Sequence, residues 1–240
     1  RQAVWLAIDR EALRTAAGGP FTGEFAKSFV APLLATDYAP AKLVDGLNED
    51  GTPNVEAAKA KLEEAKTACP DVYAKATEDG LRFDHPDSAT WQKNIAIWIE
   101  SLGAAGIKII DNPIEASKYY ATINGDRGDL MRSGWAADWA NASTVIPELF
   151  GEGGGFNYHN NEKDAAFPAF QEKVDQAKAE TDRQKQADLW KELNQYVIDQ
   201  VWSIPGSATK SQNLVGSNVR LGYQWLPFGW YNLGGIGLAS

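Results

Sequence analysis

Sulfur and imidazole are scarce in this 240-residue chain, which has one cysteine, one methionine and two histidines. The lone Cys69 can form no internal disulfide, and without a nearby His or Cys it reads as an inert thiol rather than a nucleophile. With only His85 and His159, a Ser-His-Asp triad has few candidates, and Gly-x-Ser-x-Gly and His-Glu-x-x-His are both missing. No catalytic residue, metal ligand or cofactor is therefore assigned. The Asp84-His85-Pro86-Asp87 run superficially invites a metal but reads as a turn, since no second histidine lies at ligand spacing. Missing too are an apolar run of roughly 18 to 20 residues that could span a bilayer and a basic segment followed by an apolar one that would mark secretion. The chain opens without Met and directly in a helical pattern, so it is expected to be a fragment or processed piece of something longer.

Positive charge is in short supply as well. Lys and Arg number 23 against 32 Asp and Glu, a net charge of −9 that argues against sequence-independent binding to nucleic acid or anionic membrane. The acidic excess reads as a solubility device.

What is present is apolar and aromatic. Hydrophobic residues make up 44% of the chain and aromatics 11%, enough for a substantial core. Residues 1–17 read as a helix stopped by Gly18-Gly19-Pro20, and residues 20–53 as a long mixed loop. Asn54 is a candidate N-cap for a helix to Ala68, and Ser88 for one whose stripe of Trp91, Ile95, Trp98, Ile99 and Leu102 is core packing. Strands are expected at Leu81–Phe83, Ile107–Ile110 and Leu130–Gly134, with a helix at Ile114–Ile123 between the last two. That alternation gives an α/β layering. Further helices are expected over 143–150, 164–180 and 181–200, the last opened by a Thr181/Gln184 capping box, and a strand over Trp202–Pro205. Gly151–Gly155 is a flexible loop without the Lys of a phosphate cradle.

The stretch from Gly128 to Asn141 organises the rest. It reads as a buried strand running into an acidic, aromatic loop in which Trp135 and Trp139 flank Asp138. A carboxylate between indoles suits a small cationic group. The same residues also fit an Asp capping a following helix and two indoles filling a core.

This stretch resembles the signature Asp-x-x-x-Arg-x-Gly-Trp-x-x-Asp-aromatic of the extracytoplasmic solute-binding proteins of oligopeptide and dipeptide ABC importers (family 5). Asp129, Gly134, Trp135, Asp138 and Trp139 match it, with Arg132 one residue nearer Asp129 than in that spacing. Three other stretches match in order: Arg1–Leu13 with its Arg-Gln-Ala and Ala-Ile-Asp-Arg, Asn54–Ala65, and Gly106-Ile107-Lys108-Ile109. The resemblance implies a periplasmic-binding-protein-like (type II) lobe with a mixed central sheet flanked by helices. Residues 1–200 would be the C-terminal ligand-binding lobe, and 201–240 a crossover tail returning to an N-terminal lobe absent from this chain. Deprived of that lobe, Trp225, Phe228, Trp230 and Tyr231 are expected to be poorly packed or to make a contact with another copy.

The resemblance further implies an extracytoplasmic receptor, periplasmic or a cell-surface lipoprotein, that delivers a peptide to a membrane permease. Asp138 would accept the ligand's ammonium, with Gly134, Trp135 and Trp139 beside it as the wall. Arg132 would meet a ligand carboxylate or simply pair with Asp129, and Asn157 would serve the ligand or a turn. A non-peptide solute such as an oligosaccharide is the alternative ligand. A hydrolase is the weaker alternative class, since no spacing singles out a pair among the 32 acidic residues.

Overall fold

Helices α1 (Gln2–Ala7) and α2 (Arg10–Ala16) open the chain, followed by the short strand β1 (Gly23–Phe25). Helices α3 (Val55–Ala68) and α4 (Pro70–Ala74), the latter continuing as a π-helical turn over Lys75–Asp79, lead into strand β2 (Leu81–Asp87). Then come α5 (Ala89–Ala104), β3 (Ile109–Glu115), α6 (Tyr119–Gly125) and β4 (Leu130–Met131). Helices α7 (Ile146–Phe150), α8 (Phe167–Ala179) and α9 (Arg183–Gln200) precede strand β5 (Ser207–Thr209) and several two-residue strands. The computed structural model describes residues 1–240 apart from 213, 221, 223, 226–229 and 240, and for 224, 225 and 230 the backbone alone.

The chain divides into two compact units. The first comprises Arg1–Gly19, Lys42–Gly134 and Ile198–Gly206, and the second Pro20–Ala41, Trp135–Val197 and Ser207–Ser240.

In the first unit β2 is the middle of a three-stranded parallel sheet ordered β3-β2-β4. Parallel strands need long crossovers: α5 connects β2 to its neighbour β3, and α6 connects β3 to β4 on the other side of β2. Phe83 on β2 is buried, and the half-buried indoles of Trp98 and Trp91 pack on it at 4.9 and 6.1 Å; with Ile95 and Leu102 buried, the expected α5 stripe is core except for Ile99, which is 42% exposed. A second cluster packs Leu6, Ala7 and Ile8 of the amino-terminal segment against Ala58, Leu62, Leu102 and Ile107. Both expected caps form: the Asn54 side chain accepts from Ala57 N at 3.1 Å and Ser88 Oγ from Trp91 N at 3.3 Å.

Several boundaries differ from the sequence expectation. The opening helix is two, because Ile8 is extended and the Asp9 carboxylate accepts the Ala12 N–H at 2.7 Å and starts a new helix. Asp84-His85-Pro86-Asp87 is strand, not turn. Pro86 is tolerated there because β4 pairs only with Phe83 and Asp84, leaving no ladder bond to lose on that side. Strand β3 starts at Ile109 and runs to Glu115, taking residues assigned to the next helix, which begins only at Tyr119. Strand β4 stops at Met131. Trp202–Pro205 is not a strand; the pairing segment is β5, whose Ser207, Ala208 and Thr209 lie antiparallel to Phe25, Glu24 and Gly23.

The second unit carries its own core, with Phe150, Phe170, Trp190 and Leu193 fully buried and Phe29 edge-on to Phe150 at 5.0 Å. Asn194, buried in α9, accepts the Phe29 N–H at 2.9 Å. The start of α9 is capped by Asp182 rather than by the Thr181/Gln184 box, since Asp182 Oδ1 takes the N–H groups of Gln184 and Lys185 at 3.0 Å. Of the tail aromatics, Phe228 and the side chains of Trp225 and Trp230 lie outside the described residues. The Tyr231 hydroxyl donates to the Leu214 carbonyl at 2.9 Å.

Candidate functional site

The sequence places its candidate ligand residues on both units. Arg132 and Gly134 end a segment of the first; Trp135, Asp138, Trp139 and Asn157 belong to the second.

In the first unit the surroundings of Arg132 are set by buried polar groups on β2. The Asp84 carboxylate, fully buried, accepts from Arg82 Nε at 3.0 Å, from Asn112 Nδ2 at 2.8 Å and from Gly128 N. A Cβ at Gly128 would lie 2.6 Å from the Arg82 carbonyl and 2.9 Å from the carboxylate, so only glycine lets β4 approach this closely. Tyr119, also fully buried, donates its hydroxyl to the carbonyl of Arg132 at 2.6 Å. Burial pushes that phenol well above its ordinary 10.0, keeping it a donor. The Arg132 guanidinium in turn donates to the Tyr120 hydroxyl and lies against Gly134, where a Cβ would meet Arg132 Nη2 at 3.3 Å. The alternative pairing of Arg132 with Asp129 does not form: Asp129 takes Lys75 Nζ and the Arg82 N–H instead. His85 is not a ligand candidate either. It is buried, its Nε2 2.7 Å from Asp111 Oδ1, its ring stacked on Trp91 at 5.7 Å.

In the second unit Trp135, Asp138 and Trp139 converge on one short turn. Residues Ala142–Thr144 form a single 3-10 turn, and Asn141 caps it by accepting the Ser143 N–H at 2.9 Å. The Trp135 indole N–H donates to the Thr144 carbonyl at 2.6 Å and its ring packs on Phe156 at 4.4 Å. The Trp139 indole N–H donates to Ser143 Oγ at 2.9 Å, leaving that residue 50% exposed. Asp138 is exposed; its N–H donates to Thr144 Oγ1 at 3.1 Å and its Oδ2 accepts from the same hydroxyl at 3.2 Å. The capping role weighed for Asp138 thus falls to Asn141, and Asp138 Oδ1 has no partner among the described residues. Such a carboxylate, oriented by one hydroxyl and flanked by a half-exposed indole, can take a charge-assisted hydrogen bond from a cation.

Asn157 is placed in a turn, its Nδ2 donating to the Gly151 carbonyl at 3.2 Å and its Oδ1 accepting the His159 N–H at 3.2 Å. Sequence reasoning missed Ser143 and Thr144. The one signal for them was the Asn141-Ala-Ser-Thr run, whose side chains favour short capped turns. Among the described residues no group of three or more His, Cys, Asp or Glu could hold a metal, and no helix is long and apolar enough to cross a membrane.

No curated protein matches this chain in sequence. Solved structures do match its fold. One is a clavulanic acid biosynthesis oligopeptide binding protein 2, with a TM-score of 0.79 and 23% identity over 100% of this chain and 43% of that one. Another is the Bacillus subtilis oligopeptide-binding protein AppA in complex with a nonapeptide, with a TM-score of 0.70 and 20% identity over 100% of this chain and 47% of that one. A third is Haemophilus influenzae OppA in complex with RPPGFSPFR, with a TM-score of 0.68 and 19% identity over 100% of this chain and 45% of that one. This chain therefore spans less than half the length of these proteins. The shared fold is α/β, as the alternation of elements predicts, and periplasmic-binding-protein-like, as the resemblance of the sequence implies. The model for bacterial extracellular solute-binding proteins, family 5 Middle, matches residues 1–157, and the chain belongs to that family.

Proposed function

We propose that this chain is part of the substrate-binding component of an ABC importer, and that the complete protein captures an extracellular oligopeptide or dipeptide between two lobes and presents it to a membrane permease. The observation that carries the reading is the family match over residues 1–157, supported by a fold shared with proteins described as oligopeptide-binding. In this reading residues 1–200 belong to the C-terminal lobe, and 201–240 return toward an N-terminal lobe supplied by the rest of the protein. Closure of the lobes on a hinge would bury the ligand, and the permease would recognise the closed form.

Asp138 is assigned the ligand's terminal ammonium, because it combines an oriented carboxylate with an oxygen free to accept. Trp139 offers apolar surface beside it, and Trp135 braces the loop against Phe156. Arg132 already holds the Tyr120 hydroxyl and would have to share or release it to take a ligand carboxylate.

Mass spectrometry of ligand retained by the full-length protein, followed by calorimetry with the peptides found, tests the reading. Retained peptides that rebind support it; a retained oligosaccharide, or turnover of added peptide, overturns it.

A further inference from the structure

We propose that Asp37 is a positioning residue for ligand capture: its buried carboxylate fixes the Ala142–Thr144 turn on which Trp135, Asp138 and Trp139 hang. The assignment rests on the peptide-binding reading above.

Asp37 is 1% exposed and stands 105 residues before the turn, within the same compact unit. Burying a carboxylate is costly unless it is paired, so its presence where an apolar side chain would fill the space calls for a partner. Its Oδ2 accepts the Ala142 N–H at 2.8 Å, and its Oδ1 lies 2.7 Å from Arg183 Nη2 in an ionic contact. Asp37 is itself held, since its own N–H donates to the Leu34 carbonyl at 2.9 Å.

The turn is also tied to α9 directly, where Asn141 Nδ2 donates to Gln186 Oε1 at 2.9 Å. Ala142 and Thr144 are both fully buried. Everything the turn offers outward goes to the candidate ligand residues: the Thr144 carbonyl to the Trp135 indole, the Thr144 hydroxyl to the Asp138 carboxylate and the Ser143 hydroxyl to the Trp139 indole. The exposed acid that meets the ligand thus takes its orientation from a buried acid that does not.

The readout is a ratio of affinities. In the full-length protein, calorimetry compares one peptide carrying a free amino terminus with its N-acetylated form. Loss of folded protein lowers both affinities alike, whereas misplacing Asp138 lowers only the first. Asp37→Ala should cut the ratio by roughly tenfold. The double variant Asp37→Asn, Arg183→Gln, whose paired amides can still accept from Ala142 N–H, should recover most of it. If Asp37→Ala does not fold, the single Asp37→Asn variant, which turns an amide N–H toward Arg183, is read the same way. A folded single variant with the wild-type ratio overturns the positioning role while leaving the peptide-binding reading intact. A wild-type protein that ignores acetylation overturns the ammonium assignment of Asp138 and the positioning role with it, and one that binds no peptide takes down the peptide-binding reading as well.

Discussion

Thr144 faces Asp138 twice, accepting its backbone N–H at 3.1 Å and donating to its carboxylate at 3.2 Å through one hydroxyl. Thr144→Val keeps the shape and deletes both bonds. It should cost about 1 to 2 kcal/mol in urea unfolding. It should also weaken binding of free-amino peptides by several-fold to about tenfold, measured by calorimetry.

Asp138→Ala removes the proposed ammonium acceptor itself. Truncating one member of a desolvated charge pair costs about 2 to 5 kcal/mol, so affinity should fall by tens to thousands of fold. Asp138→Ala also leaves the buried Thr144 hydroxyl without its acceptor, so stability in urea unfolding should fall by about 1 kcal/mol, less than the loss in affinity. Unchanged affinity would take Asp138 out of the site.

Asp84→Ala should destabilise the first unit by about 3 kcal/mol or more, since it strips a fully buried acceptor from Arg82, Asn112 and Gly128 at once. Urea titration followed by amide exchange across β2 and β4 would show the loss; exchange rates matching wild type would contradict it.

Tyr119 makes stability depend on alkaline pH. Its folded phenol is raised above the ordinary 10.0, so the folded state holds the proton more tightly than the unfolded chain does. Its contribution is fully present below that ordinary value and is lost as pH rises through the raised one. The unfolding midpoint of the wild type should therefore fall more steeply than that of Tyr119→Phe as pH rises above about 10. Near neutrality the variant should be weaker by about 1 to 3 kcal/mol for its lost bonds to the Arg132 and Asp84 carbonyls. Parallel slopes for the two proteins would refute the assignment.

The parts of this fold that could be read from sequence are those whose causes are local. Asn54 and Ser88 cap the amides three residues on, and the α5 stripe follows from helical spacing alone. What escaped depends on distant partners. Asp84-His85-Pro86-Asp87 looks like a turn until Gly128, 44 residues later, supplies an N–H to Asp84 and Asp111 faces His85. Likewise Trp135, Asp138 and Trp139 stand out by composition, and the Asn141-Ala-Ser-Thr run hints at a capped turn, but neither announces that Ser143 and Thr144 hold these three side chains or that the distant Asp37 anchors the turn. Arg132 shows the same limit, since its sequence neighbour Asp129 is claimed by Lys75 and Arg82.

The pairing of Gly23–Phe25 with Ser207–Thr209, reinforced by the Lys210–Glu24 ion pair at 2.7 Å, bears on the order in which the chain is made. A ribosome releases the first of these strands long before the second exists, so the second unit cannot close its own ladder until synthesis of this region is nearly done. Stalled or prematurely terminated chains would carry an unmatched strand edge, a target for holding chaperones and proteases.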